Sequence, residues 1–347
     1  MTNITSLSID LAKNVFQLHG TDIKGKKVLK KKIKRLELLE FIVKLKPCDI
    51  YMEGCGSANY WGRKFKEHGH KVKLINPRYV KPYVKRNKND ANDAAGIAAA
   101  ARDPDMRFCE VKTKDQQDIQ SIHRIRSLLI QQRTALTNQI RGLLAEYGLV
   151  IQRGISSIRS KLPIIIDDNS ANLSESILDC LMETYDRFIF LDKQIAYYDH
   201  KIVILFKSNE ACQRLEKIPG VGALGATILC SILGNGSGFK NGRHFAAFLG
   251  LVPKQHSSGG KERLLGISKS GDTYTRTLLI HGARSVVMHV AKKTDKQSIW
   301  IKKLMMRSCY NKAAVALANK IARTAWSIIH DGHEYNANHK PDFLKAA

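Results

Sequence analysis

The sequence predicts an α/β N-terminal domain on a mixed sheet, then a long helical arm, then a separate and mostly helical C-terminal domain. Three observations carry this reading. Short apolar runs with strand character alternate with helix-spaced runs up to about Asp105. Two long stretches, from Asp115 to Tyr147 and from Asn172 to Phe206, contain almost no Gly or Pro and hold apolar residues at helical spacing. From Glu210 onward the texture changes again, with glycines clustered between Gly220 and Gly271.

The elements follow in order. Ile4–Asp10 reads as a strand, with Ile4, Leu7 and Ile9 separated by small polar residues. Val15–Gly20 and Val28–Ile33 read as two more strands, joined through a Gly-containing basic turn at Lys24–Lys27. Leu36–Leu45 has helical spacing, and strand Asp49–Glu53, a helix near Ala58–His68 and strand Lys71–Ile75 come next. A helix starts at Asn89–Asp90, both good N-cap residues, and runs through Ala94–Ala101. The two long helices make an antiparallel, coiled-coil-like hairpin the expected arm, with Gly154–Asp168 as the connection between them and dimerisation as its simplest use. Ala223–Leu233, Thr273–Ala291 and Ala313–His330 read as helices of the last domain, and the residues after Gly332 as a loose tail. The expected boundaries are 1–105, 106–209, 210–332 and 333–347.

Charge narrows the partners. Lys plus Arg number 57 against 31 Asp plus Glu, a net charge of +26 over 347 residues. Such an excess repels itself in a compact chain unless a polyanion offsets it, and nucleic acid does so with counterion release. Seven Lys or Arg fall between Lys71 and Lys88 with no acid among them, including Lys81, Lys85, Arg86 and Lys88. Eight more lie between Lys24 and Arg35. A ribosome-associated or merely soluble basic protein is the plainer alternative on charge alone. No apolar run approaches the ~18 residues of a membrane helix. The seven cysteines show no CxxC spacing, which argues against zinc and, with no leader peptide at the start, suits reduced thiols in the cytoplasm.

Chemistry enters with the acids. Asp10 closes an apolar first strand and Glu53 closes the fourth, positions where an unpartnered carboxylate is costly. Asp90 and Asp93 stand three apart on one helix and share a face. One such acid alone reads as a cap or surface charge. Four in the order strand, strand, helix, helix are far more specific, and hard oxygen donors in that number suit Mg²⁺ or Mn²⁺ in phosphoryl transfer. Ile218-Pro219-Gly220-Val221-Gly222 ahead of a helix is a hairpin whose backbone N–H groups, at Gly220 and Gly222, suit a phosphate. A plain Gly-rich turn is the alternative. The segment from Lys254 through Ser257, Ser258 and Lys261 to Lys269 is a Ser-Gly-rich basic loop, with His256 the only local base.

These motifs together resemble the DEDD-type insertion-sequence transposases, the family that includes the Piv DNA invertases and the bridge-RNA-guided recombinases. The resemblance spans nearly the whole chain. It rests on Ser8-Ile9-Asp10-Leu11-Ala12-Lys13, Met52-Glu53-Gly54-Cys55-Gly56, Asn76-Pro77-Arg78 and Lys88-Asn89-Asp90-Ala91-Asn92-Asp93-Ala94. It continues through Ile218–Gly222, Phe245–Pro253 and the Ser-Gly-rich loop to Gly271.

The resemblance implies a RuvC-like (RNase H-like) N-terminal domain whose metal tetrad is Asp10, Glu53, Asp90 and Asp93. It also implies a C-terminal transposase domain with a helix-hairpin-helix and a nucleophilic serine. That serine falls on Ser258, although its neighbour Ser257 competes for the role. The implied partners are donor and target double-stranded DNA, a non-coding guide RNA, and further copies of the chain as a dimer or tetramer, the serine of one protomer meeting the tetrad of another. Two other readings stay open: a hydrolytic RuvC-like junction nuclease, and a DNA invertase that needs no RNA.

Overall fold

The computed structural model of the protein describes residues 3–84, 90–168 and 172–337, and at 90 and 91 the backbone alone. Lys85, Arg86 and Lys88, read above as nucleic-acid contacts, lie outside the described residues. The chain divides into two compact units, Met1–Lys114 and Asp115–Ala347.

The first unit holds a six-stranded mixed sheet in the order β3-β2-β1-β4-β5-β6. Strands β1 (Ser6–Asp10), β2 (Val15–Thr21) and β3 (Lys27–Lys34) form an antiparallel meander. Helix α1 (Leu38–Val43) then carries the chain over to β4 (Asp49–Glu53), which runs parallel to β1. Helix α2 (Ala58–Glu67) does the same for β5 (Lys71–Ile75), parallel to β4, because parallel neighbours require a crossover. Next come α3 (Pro77–Val80), capped by the Asn76 side chain, a short 3-10 turn at Lys81–Tyr83, and α4 (Asp90–Ala101). The two-residue β6 (Phe108–Cys109) closes the sheet antiparallel to β5.

Strand alternation sorts the residues between two cores. Leu7, Ile9, Ile50 and Met52 point to one face, where Leu38, Ile42, Trp61 and Phe65 of α1 and α2 cover them. Each such side chain contributes about 1.5–3 kcal/mol when fully buried. Tyr51 and Ile75 belong to the other core, with Ile97 and Ala100 of α4.

The second unit is helical apart from one ribbon. Helices α5 (Lys114–Glu146), α6 (Ile155–Asp168) and α7 (Glu175–Lys207) share a core of Leu136, Ile140, Leu144, Ile158, Leu162, Leu181 and Phe188. Arg126 pairs with Asp199 at 2.5 Å and Arg133 pairs with Asp192, so a step of seven along α5 matches a step of seven back along α7. The two long helices therefore run antiparallel. Segment 155–168, expected as a connection, is instead a helix that buries Ile158 and Leu162 against this pair and accommodates Pro163 in its interior. Pro163 lacks an N–H and argues locally against helix. Burial of the apolar stripe outweighs it.

The remainder is α8 (Glu210–Glu216), α9 (Ala223–Leu233), α10 (Gly242–Phe248), the ribbon β7 (Pro253–Gln255) and β8 (Leu264–Ile267), α11 (Thr273–Met288), α12 (Lys296–Arg307) and α13 (Tyr310–Asp331). Their shared core centres on Leu215, Leu229, Phe245, Leu249, Ala283, Leu317 and Ile321. The residues just past Gly332 are not all loose, since Glu334 pairs with Lys217 at 2.5 Å and Tyr335 packs on that core. No helix among the described residues is long and apolar enough to cross a membrane.

Candidate functional site

Sheet register brings the first two acids together. Strands β1 and β4 pair from Ser6↔Asp49 to Ile9↔Met52, so one more residue along each sets Asp10 beside Glu53 at the ends of adjacent parallel strands. Since Leu7 and Ile9 point to the α1–α2 core, Ser8 and Asp10 point to the opposite side, as do Tyr51 and Glu53. Helix α4 covers that side, because its Ile97 and Ala100 share a core with Tyr51. Asp93 lies four and seven residues before those two buried residues, on the same helical stripe. Asp10, Glu53 and Asp93 thus share one side of the sheet, and each is half-buried.

The Cys55 thiol senses the first two. Its pKa is pushed up first by burial, and further by the negative charges of Glu53 and Asp10. Ser8, on the same side of the sheet as Asp10, has a buried hydroxyl with no hydrogen-bond partner among the described residues. Asp90 begins α4, but its side chain lies outside the described residues. Among the described residues, no three acids, cysteines or histidines close into a ready metal cage.

The serine loop is an exposed ribbon. Strands β7 and β8 pair antiparallel, with Pro253↔Ile267 and Gln255↔Leu264 in register. At the tip Ser258 bridges to Lys261, whose N–H donates to the Ser258 carbonyl at 3.1 Å. Gly259 and Gly260 between them take φ of +57° and +76°. Two successive positive φ angles in a two-residue loop are the turn that suits the right-handed twist of a hairpin, and only glycine enters it without strain.

The two serines differ in their bonding. Ser257 Oγ accepts from Gln255 Nε2 at 3.1 Å and from the Arg263 N–H at 3.4 Å. The Ser258 hydroxyl is exposed and has no partner among the described residues. Lys254, His256, Lys261, Arg263 and Lys269 are also exposed, so the ribbon presents cations along with its free hydroxyl.

Comparison with known proteins matches both parts of the chain to transposases. A DEDD transposase model of the IS110 type, described simply as a transposase, matches residues 7–149. A second model, described as "Transposase IS116/IS110/IS902 family", matches residues 212–298. The chain is 46% identical over 332 residues to a transposase for insertion sequence element IS1111A from Coxiella burnetii, covering 95% of this chain and 90% of the relative.

The chain belongs to the IS110 family of transposases.

A probable family 20 transposase from Pseudomonas aeruginosa is 45% identical, covering 94% of this chain and 97% of the relative. More distantly, a pilin gene-inverting protein of Moraxella lacunata is 24% identical, covering 78% of this chain and 76% of that protein.

In this transposase the two hairpin glycines do different work. Gly220, at φ +91°, meets Gly282 of α11 so closely that a Cβ there would lie 2.8 Å from the Gly282 carbonyl oxygen. Gly222, the N-cap of α9, has open space around it and lines a cavity of about 510 Å³ with Ala223, Gly225, Asp199 and His281. Gly220 thus lets the hairpin turn lie against α11; both glycines line the cavity, and Gly222 is the one with nothing within 4 Å of where a Cβ would stand. Lys81 is exposed at the start of the 3-10 turn.

Sequence reasoning missed a buried polar network beside that cavity. His123 of α5 is fully buried between Tyr274 OH at 2.9 Å and Thr227 Oγ1 at 2.9 Å. Burial, and then the nearby Arg126 charge, bring its pKa down to about 4. Gln116 and Gln120 donate to the Ser231 carbonyl, both at 3.1 Å, and extend the same seam between α5 and α9. The partners of His123 lie 104 and 151 residues away, so no local pattern announces them.

Proposed function

We propose that this transposase exchanges DNA strands through a serine ester, using Ser258 as nucleophile and the Asp10, Glu53, Asp90 and Asp93 carboxylates as the metal-binding group. Residues 1–105 are read as a RuvC-like catalytic domain, and the chain from residue 210 to 332 as the transposase domain, with the helical arm between them at 106–209. The single observation that supports serine chemistry best is the contrast at the ribbon tip: the Ser257 hydroxyl is engaged, and that of Ser258 is exposed and unpartnered.

The acids fit a hard divalent cation. Asp10 and Glu53 are oxygen donors side by side, half-buried and still reachable, with Asp93 on the same side of the sheet. Bound Mg²⁺ or Mn²⁺ would supply charge neutralisation at the scissile phosphate. The chain's own residues do the rest. The Ser258 oxygen attacks phosphorus, a P–O bond to serine forms, and the bond to the deoxyribose oxygen breaks. The serine proton ends on that leaving oxygen, with His256 the titratable side chain closest in sequence to relay it. A second DNA end then reverses the step, displacing serine and recovering its proton. Bond energy is retained in the ester, so strand exchange needs no nucleotide hydrolysis.

Exposed cations on the ribbon and the open backbone at Gly222 are read as phosphate contacts that hold donor and target DNA. The dense basic strand β3 and the exposed Lys71, Lys73, Arg78 and Lys81 are read as contacts to a nucleic-acid backbone, including a non-coding guide RNA. A homo-oligomer supplies more than one serine and more than one tetrad per reaction. The test is a denaturing gel with labelled suicide DNA. The wild-type chain and Ser257→Ala give a protein–DNA adduct and Ser258→Ala gives none. Normal cutting without adduct by Ser258→Ala would move the reading to a water-using nuclease.

A further inference from the structure

We propose that Arg276 is the positioning residue that aims the Ser258 ribbon at the scissile phosphate; the proposal rests on Ser258 as the nucleophile. The ribbon has no core of its own, since every residue from Pro253 to Gly266 is exposed. Its direction must therefore be set where its two strands leave the helical core.

That neck is unusually constrained. Ser268 N–H donates to the Val252 carbonyl at 2.8 Å and Lys269 N–H to the Gly250 carbonyl at 3.1 Å. Gly250, at φ +70°, would place a Cβ 2.2 Å from the Ser270 oxygen, and Gly271, at φ +78°, would place one 1.9 Å from the Phe248 oxygen. Lys269 holds a left-handed φ of +54° with no glycine to ease it. Such strain persists only where the surroundings over-determine the backbone.

Arg276, in the first turn of α11, supplies that determination. It is buried, at 7% exposure, and no carboxylate lies within ion-pair distance of it among the described residues. One nitrogen, Nη1, donates both to the Leu249 carbonyl at 3.1 Å and to the Ser270 carbonyl at 3.0 Å. These carbonyls stand four residues before the outgoing strand and three after the returning one, at the base of the neck. Nη2 donates to Thr273 Oγ1 at 3.1 Å, which fixes the plane of the guanidinium. A buried cation satisfied only by neutral oxygens is a costly way to hold a loop. The planar fork justifies it by joining both legs of the ribbon through a single rigid group. Asn319 of α13 adds a second anchor, donating to the Leu251 carbonyl at 3.1 Å.

An error of about an ångström in the aim of an attacking group can cost about 100-fold in rate. The experiment measures adduct formation on suicide DNA at saturating substrate, together with DNA affinity and melting temperature. Arg276→Met removes the donors while keeping an unbranched apolar stem, and Arg276→Lys keeps a charge that can bridge the carbonyls without the fork. Arg276→Met is expected to lower the saturated rate roughly 100-fold, and Arg276→Lys roughly tenfold, with DNA affinity unchanged in both. Should Arg276→Met not fold, Arg276→Lys decides the matter by the same split. A full saturated rate in either variant, or a loss confined to affinity, overturns the proposal. Ser258→Ala runs alongside. An adduct there refutes the nucleophile itself, a different outcome from a fully active Arg276 variant.

Discussion

Acid should weaken the second unit through His123, and by a predictable amount. Thr227 Oγ1 donates its proton to the Ala223 carbonyl at 2.8 Å, so it must accept from His123 Nε2–H. His123 Nδ1 is then left to accept from the Tyr274 hydroxyl. This arrangement holds a neutral ring in a fully buried site, and the pKa falls from 6.5 to about 4. The unfolded chain takes up the proton at the ordinary value, so between those pH values it binds more protons than the folded chain. Stability is therefore full above pH 6.5 and declines as pH falls toward 4, by about 3 kcal/mol across the window. His123→Gln removes the titration and keeps one donor and one acceptor in similar places. Urea unfolding of both proteins at pH 7.5, 5.5 and 4.5 should show the wild type losing roughly 2–3 kcal/mol more than the variant over that range. Equal pH dependence of the two proteins would refute the buried neutral ring.

Three further outcomes follow from the geometry. Asp10→Ala and Asp93→Ala should each abolish strand exchange while leaving DNA affinity near wild type, as measured by recombination and gel-shift assays; near-normal recombination in Mg²⁺ by either would remove it from the metal group. Gly282→Ala would place a Cβ 1.9 Å from the Gly220 oxygen, so the hairpin turn and α11 must separate, and a loss of roughly 1–3 kcal/mol in chemical denaturation is expected. Purified protein should carry RNA, with affinity falling steeply between low and physiological salt; unchanged recombination of two DNAs without any RNA would instead favour an invertase-like mode.

Much of the fold was legible because its signals are local. An acid ending an apolar strand is anomalous within a few residues, and Asp10 and Glu53 each stand out in this way. Strand register then adds what sequence lacks, namely that residue 10 aligns with residue 53. Helix α6 was hidden because Pro163 and the polar Ser156, Ser157 and Ser160 obscure a stripe that only α5 and α7 make worth burying. Helix α12 went unread for a similar reason, since only Ser298 and Ile301 are fully buried along its length. The different bonding of Ser257 and Ser258 is not legible from their adjacency, because it depends on which hydroxyl the Gln255 and Arg263 groups reach. In sequence, Arg276 is one of 57 Lys and Arg in a chain of +26. Its role depends on two carbonyls, the farther of them 27 residues away.

The most direct test of the central claim is mass spectrometry of the trapped protein–DNA complex. After nuclease and trypsin digestion, the peptide from Gln255 to Lys261 should carry a nucleotide phosphate. Fragmentation should assign it to the Ser258 oxygen, and the peptide should be unmodified when Asp10→Ala is used. An unmodified peptide from actively cutting wild-type protein, with free phosphate on the DNA ends, would contradict the serine-ester account.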